Sequence, residues 1–189
     1  MNRKKNILII FLLILQGISV CVFCNIDKIK LMQEGLRYQL FNMNYSISFQ
    51  TIDSDVNFDI DINKLDSNIH KIIYENDGCT IMIDSIIKEN DKYIIYFSSH
   101  GTYNQQFGKL ITGVEHKILP NKKIEDKIYT SCFIDDIECQ NYSFSGLNFK
   151  DGDEFSFIID AKILESVKKV TLKNLLLIKM KKIQGLRRK

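Results

Sequence analysis

Tryptophan is absent from this 189-residue chain, proline occurs once and histidine three times. One proline, alongside 45% hydrophobic and 26% charged residues, excludes a collagen-like or disordered chain. Without tryptophan there is no indole platform for stacking on a sugar. Beyond residue 24 no two cysteines have the close spacing of a zinc knuckle, so no structural zinc site is expected. A glycine-rich phosphate loop and a Gly-x-Ser-x-Gly elbow are also missing, and no metal or cofactor is expected. The composition does not fit a multi-span membrane protein. What remains is a length that fits one domain with a core of its own.

The first segment reads as an address. Arg3, Lys4 and Lys5 precede an apolar run from Ile7 to Leu15, which Gln16, Gly17 and Ser19 break before Cys21, Val22 and Cys24. A basic start, a short apolar stretch and a small-residue end are the layout of a secretory signal peptide, residues 1–24, with Val22 and Cys24 at the minus-three and minus-one positions of a cut before Asn25. The competing reading is an uncleaved anchor, but Ile7 to Phe23 falls short of the ~20 residues a spanning helix prefers. Two sequons, Asn44-Tyr-Ser46 and Asn141-Tyr-Ser143, fit the same route and mark Asn44 and Asn141 as glycan acceptors.

From Tyr45 the dominant period is two. Tyr45, Ile47 and Phe49 alternate with polar residues, as do Val56, Phe58, Ile60 and Ile62, and Cys79, Ile81 and Ile83. This pattern puts one strand face in a core and the other in water. Lys92 to Ser98 is dense enough for a central strand buried on both faces. Leu110–Leu119, Ile128–Ile134 and Phe155–Ile159 are further strands, separated by turn signals such as Asn76-Asp77-Gly78 and Glu89-Asn90-Asp91. The expectation is a mainly β domain over residues 25–160, an antiparallel sandwich or jelly roll. One stretch dissents: Leu65, Ile69, Ile72 and Ile73 fall at helical spacing, with Asp61 or Asn63 as cap.

Charge divides the chain. Residues 161–189 hold ten Lys or Arg and one acid, a net +9, whereas residues 25–160 hold 13 basic and 22 acidic residues, a net −9. The last segment is expected to be a basic amphipathic helix or a final strand. Lys179, Lys181, Lys182, Arg187, Arg188 and Lys189 would meet an anionic membrane surface or a sulfated glycan. Nucleic acid is a poor partner for a secreted chain.

Of five cysteines, Cys79, Cys132 and Cys139 lie beyond residue 24. If Asp135-Asp136 is a hairpin tip, Cys132 and Cys139 oppose each other and bridge in an oxidising compartment. Cys79 is then a buried free thiol. Asp53, Asp55, Asn57, Asp59 and Asp61 offer oxygens at alternate positions, but Phe58 and Lys64 stand where a calcium loop needs glycine and glutamate. The ladder reads as the wet face of a strand.

Ser98-Ser99-His100-Gly101, after the most apolar strand, resembles the His-Gly pair of caspase-like cysteine peptidases, whose nucleophilic cysteine follows a later strand as Cys132 does. That resemblance implies a Cys132/His100 dyad. Phe133 and Ile134 depart from the glycine-bearing turn usual after that cysteine. With no other catalytic set, the chain reads as a secreted or cell-surface binding or adhesion module for a protein or glycan. The peptidase is the alternative.

Overall fold

The computed structural model describes residues 2–119, 124–147, 150–166 and 169–183. Three helices open it: α1 (Asn2–Cys24), α2 (Ile26–Glu34) and α3 (Leu36–Phe41). Strands β1 (Tyr45–Thr51), β2 (Val56–Asp59), β3 (Ile72–Asn76), β4 (Cys79–Glu89), β5 (Lys92–His100) and β6 (Thr102–Tyr103) follow. Next come β7 (Phe107–Thr112), β8 (Val114–Ile118), β9 (Ile124–Ile128), β10 (Ser131–Ile134), β11 (Ile137–Glu138), β12 (Gln140–Phe144) and β13 (Gly152–Asp160). A short helix α4 (Ala161–Ser166) precedes β14 (Lys169–Lys173) and β15 (Leu176–Lys182). The fold is mainly β, and every described pairing is antiparallel.

The largest sheet runs β12-β13-β5-β4-β3. Its middle strand is the dense run of the sequence, and Tyr93, Ile94, Ile95, Phe97 and Ser98 are all buried in it. Tight turns join β3 to β4 and β4 to β5. Asp77 (φ 53°) with Gly78 (φ 76°), and Asn90 (φ 55°), take the left-handed conformations that two-residue hairpins need. Two further sheets run β1-β15-β7-β6 and β11-β10-β14-β2. A bond from Ile52 N to Leu175 O, 2.7 Å, links them across the gap between the β1–β15 and β2–β14 pairs.

One buried cluster joins the large sheet to β2, β10 and β14. Ile81, Ile83, Ile95, Phe97, Phe155 and Phe157 meet Val56, Phe58, Cys132, Ile134, Val170 and Leu172. Phe97 stacks on Phe155 with centroids 5.3 Å apart. Burying each such side chain contributes about 1.5–3 kcal/mol before chain entropy is counted. A smaller cluster seats α3 on the first small sheet through Leu36, Leu40, Tyr45, Leu110, Ile178 and Met180.

Two local expectations change. The helix over Leu65–Ile73 is a single 3-10 turn, Leu65–Asn68, and Ile72 and Ile73 belong to β3. Asn68 is the reason: its buried amide accepts from Asp61 N and donates to the carbonyls of Asp61, Lys64 and Leu65, closing the turn on itself. His70, at φ 61°, then redirects the chain into β3. The run Leu110–Leu119 breaks at Gly113, and β7 and β8 enter different sheets. The stretch after residue 160, expected as a basic amphipathic helix or a final strand, is built into the body. Past α4 it supplies β14, between β10 and β2, and β15, between β1 and β7.

In α1 the described side chains from Ile10 to Cys24 are exposed, and α2 follows after Asn25 alone. Among the described residues no single helix is long and apolar enough to cross a membrane. Ile10–Cys24 and Ile26–Glu34, bent by 60°, pass together by length and composition.

Candidate functional site

The densest polar chemistry lies inside. His116, the third residue of β8, stands opposite Asp126 of β9 in register. Its Nδ1 lies 2.8 Å from Asp126 Oδ1 and its Nε2 2.7 Å from Asp153 Oδ2 at the start of β13. Thr112 Oγ1 donates to Asp153 at 2.8 Å and accepts from Val114 N at 2.9 Å. Burial alone would lower the imidazole's pKa. The bonds and charges of Asp153, then of Asp126, outweigh that and raise it above the ordinary 6.5. Both ring nitrogens face carboxylates and the ring is 1% exposed, so it has neither a free position nor access for shuttling a substrate proton. The cluster holds elements together: Asp126 closes the β8–β9 hairpin and Asp153 ties it to β13. His116 has no partner legible in the sequence, because Asp126 reaches it through strand register and Asp153 through packing of β13 beside β8.

The residues of the peptidase resemblance lie apart. His100, ending β5, places Nδ1 3.3 Å from Asp151 Oδ2. Cys132 lies in β10, in a different sheet, buried and hydrogen-bonded to the Cys139 side chain. That bond and burial push the Cys132 thiol well above its usual pKa, opposite to what a thiolate nucleophile needs. The hairpin geometry is as the spacing predicts. Asp135 (φ 43°) and Asp136 (φ 65°) form the tip, and Cys139 N donates to Cys132 O at 2.8 Å. Cys79, Cys132 and Cys139 are all buried free thiols in this structure.

Three members of the aspartate ladder have protein partners. Asp55 meets Lys173 Nζ at 3.7 Å, Asn57 Oδ1 accepts from Thr171, and Asp61 Oδ1 accepts from Asn63 N. Among the described residues no group of three or more His, Cys, Asp or Glu is placed to hold a metal ion. Asn141 lies exposed on the edge strand β12, and Asn44 is half-buried before β1. Lys179 and Lys181 are exposed on β15 and Lys182 is half-buried at its end, while Arg187, Arg188 and Lys189 lie outside the described residues.

No family model, curated protein or solved structure matches this chain.

The uncommitted chemistry is on the outward face of the five-stranded sheet. Because Phe97, Phe155 and Phe157 point into the core, Tyr96, Ser98, Glu154 and Ser156 point away from it. The Tyr96 ring meets Tyr142 of β12 edge-on, with centroids 6.3 Å apart and planes at 89°. Ser98 lies between Glu154 on β13 and Met82 on β4. A bulge between Ile83 and Ser85 adds Asp84 beside them. Burial, then the charges of Asp84 and Asp153, raise the Glu154 carboxyl above its ordinary range. Tyr142 is 49% exposed. Sequence reading misses this face, because the edge strand that completes it, β12, shows no clean apolar alternation.

Proposed function

We propose that the chain enters the secretory pathway and acts at or outside the cell surface as a non-catalytic recognition module. Its body is a β-sandwich that presents the outward face of the five-stranded sheet to a protein or glycan. The single buried cluster filled from β4, β5 and β13 on one side and β2, β10 and β14 on the other supports the sandwich reading. The basic start and apolar run of α1, with its described side chains exposed from Ile10 onward, support export and a cut before Asn25. Glycans on Asn44 and Asn141 and a Cys132–Cys139 bridge belong to the same reading. Lys179, Lys181 and Lys182, with Arg187, Arg188 and Lys189, add attraction to an anionic lipid or sulfated glycan surface.

The observation that carries recognition is the Tyr96–Tyr142 pair beside Glu154 on an outward face, while His116 and Cys132 are closed off in the interior. Aromatic rings at a surface serve binding, since they bring large contact area at low entropy cost.

Expression of the full chain in a glycosylating secretory host tests this. The reading expects protein in the medium that begins at Asn25, shifts on endoglycosidase treatment and binds saturably to cells or a glycan array. Unglycosylated protein retained in the cytosol would end the secretory reading. A thiol probe that labels Cys132 only when His100 is intact would replace recognition with the peptidase.

A further inference from the structure

We infer that the outward face around Glu154 captures one organic cation, the ammonium or guanidinium of a lysine or arginine side chain on a protein partner. This inference rests on the recognition reading above and gives its partner a chemistry.

The face is acidic and its charge is unanswered. Among the described residues no cation pairs with Asp84 or Glu154. Lys92, on the same side of β5, stands opposite Glu89 at the far end of the β4–β5 hairpin. A half-buried carboxyl with a second acid beside it is held partly against ionisation, and an incoming cation relieves that. A second observation is independent of charge. Ser98 is 2% exposed, its Oγ has no hydrogen-bond partner, and it lies on this face with Glu154 and Met82 as its cross-strand neighbours. An unpaired buried hydroxyl costs stability unless a ligand group completes it. An N–H donor satisfies the Ser98 oxygen, and the same nitrogen reaches a carboxylate in a charge-assisted bond.

The rim selects an organic cation over a bare metal ion. Two carboxylates and one hydroxyl fall short of the six to eight oxygens that calcium takes. Tyr96 and Tyr142 instead offer ring faces to a cation, and Met82 offers an apolar wall for an aliphatic stem.

The test uses the full chain recovered from a secretory host and two peptides, hexalysine and its fully side-chain-acetylated form. Hexalysine is expected to bind saturably and the acetylated peptide not at all. Glu154→Gln should weaken hexalysine about tenfold, the loss of one charge-assisted bond. Asp55→Asn, on the far ladder, should leave it unchanged. Equal loss in Asp55→Asn and Glu154→Gln would reduce the effect to general attraction by an acidic body and overturn the site. No hexalysine binding, with Tyr142-dependent binding to cells intact, would overturn the cation and leave recognition standing. Absence of both would remove recognition as well.

Discussion

His116 and Asp153 are locked together in the interior, Nε2 to Oδ2 at 2.7 Å, with 1% and 0% of the two side chains exposed. The pair crosses from β8 to β13, so it fixes the β8–β9 hairpin against the large sheet. Removing one partner of a buried ion pair leaves the other charge uncompensated. His116→Ala is expected to lower unfolding stability by about 3–5 kcal/mol in urea titrations. Asp126→Asn should cost less, because Asp126 is partly exposed and water can replace it.

The same imidazole gives a pH dependence with a definite sign. Its pKa in the folded protein is raised above 6.5, so the folded state holds the proton more tightly than the unfolded chain does. That contribution is complete below the unfolded value and is lost as pH climbs through the folded one. The stability gap between wild type and His116→Gln is therefore expected to be widest near about pH 5–6, where the carboxylates are still charged, and to shrink on the alkaline side. Melting temperatures of both proteins across that range check it. A gap that widens with pH would contradict the buried imidazolium.

How much of this was legible in the sequence follows from the range of each signal. β5 and the turn at Asp77-Gly78 were readable because apolar density and left-handed turn residues are local. Gly113 was not: a Cβ there would meet Thr130 and the Phe155 ring, and both are distant in sequence. Ile163, Leu164, Val170 and Leu175 fit helical and strand periods alike, and only pairing with β10 and β2 decides that Val170 belongs to a strand. Of the candidate site, Ser98 was legible only as a neighbour of His100. Its relation to Glu154 and Tyr142 needed the order of β4, β5, β13 and β12.

The basic last segment now has a separable test. A chain ending at Asp160 loses β14 and β15, and with them a partner strand of β1, β2, β7 and β10. It is expected not to fold, as read by circular dichroism and proteolysis. Surface attraction is tested instead with Lys179→Glu and Lys181→Glu, both exposed on β15. Heparin or anionic-vesicle binding should weaken in that double variant while the fold persists. A cation near an anionic surface contributes on the order of 1 kcal/mol, so the effect should fade at high salt. Unchanged retention on heparin would remove the anionic surface from the account.

Cys132 and Cys139 provide a redox test. They stand opposite each other as free thiols beyond disulfide distance, and a small adjustment of the hairpin would let an oxidant in the secretory compartment take two electrons and two protons from them to form the bridge. Non-reducing peptide mapping of secreted protein is expected to find the two joined and Cys79 unmodified. Reduction should lower stability by about 2–3 kcal/mol. Finding both alkylated under native, oxidising conditions would count against the secretory reading and against burial of the pair.

Equilibrium binding of the secreted protein to intact cells, wild type against a Tyr96→Ser/Tyr142→Ser variant of unchanged circular dichroism, tests recognition by this face most directly. Saturable binding by wild type and a loss of about tenfold or more in the variant are expected, since paired aromatic anchors carry a large share of interface energy. Equal binding by the two proteins, or no saturable binding by wild type, would contradict recognition by this face.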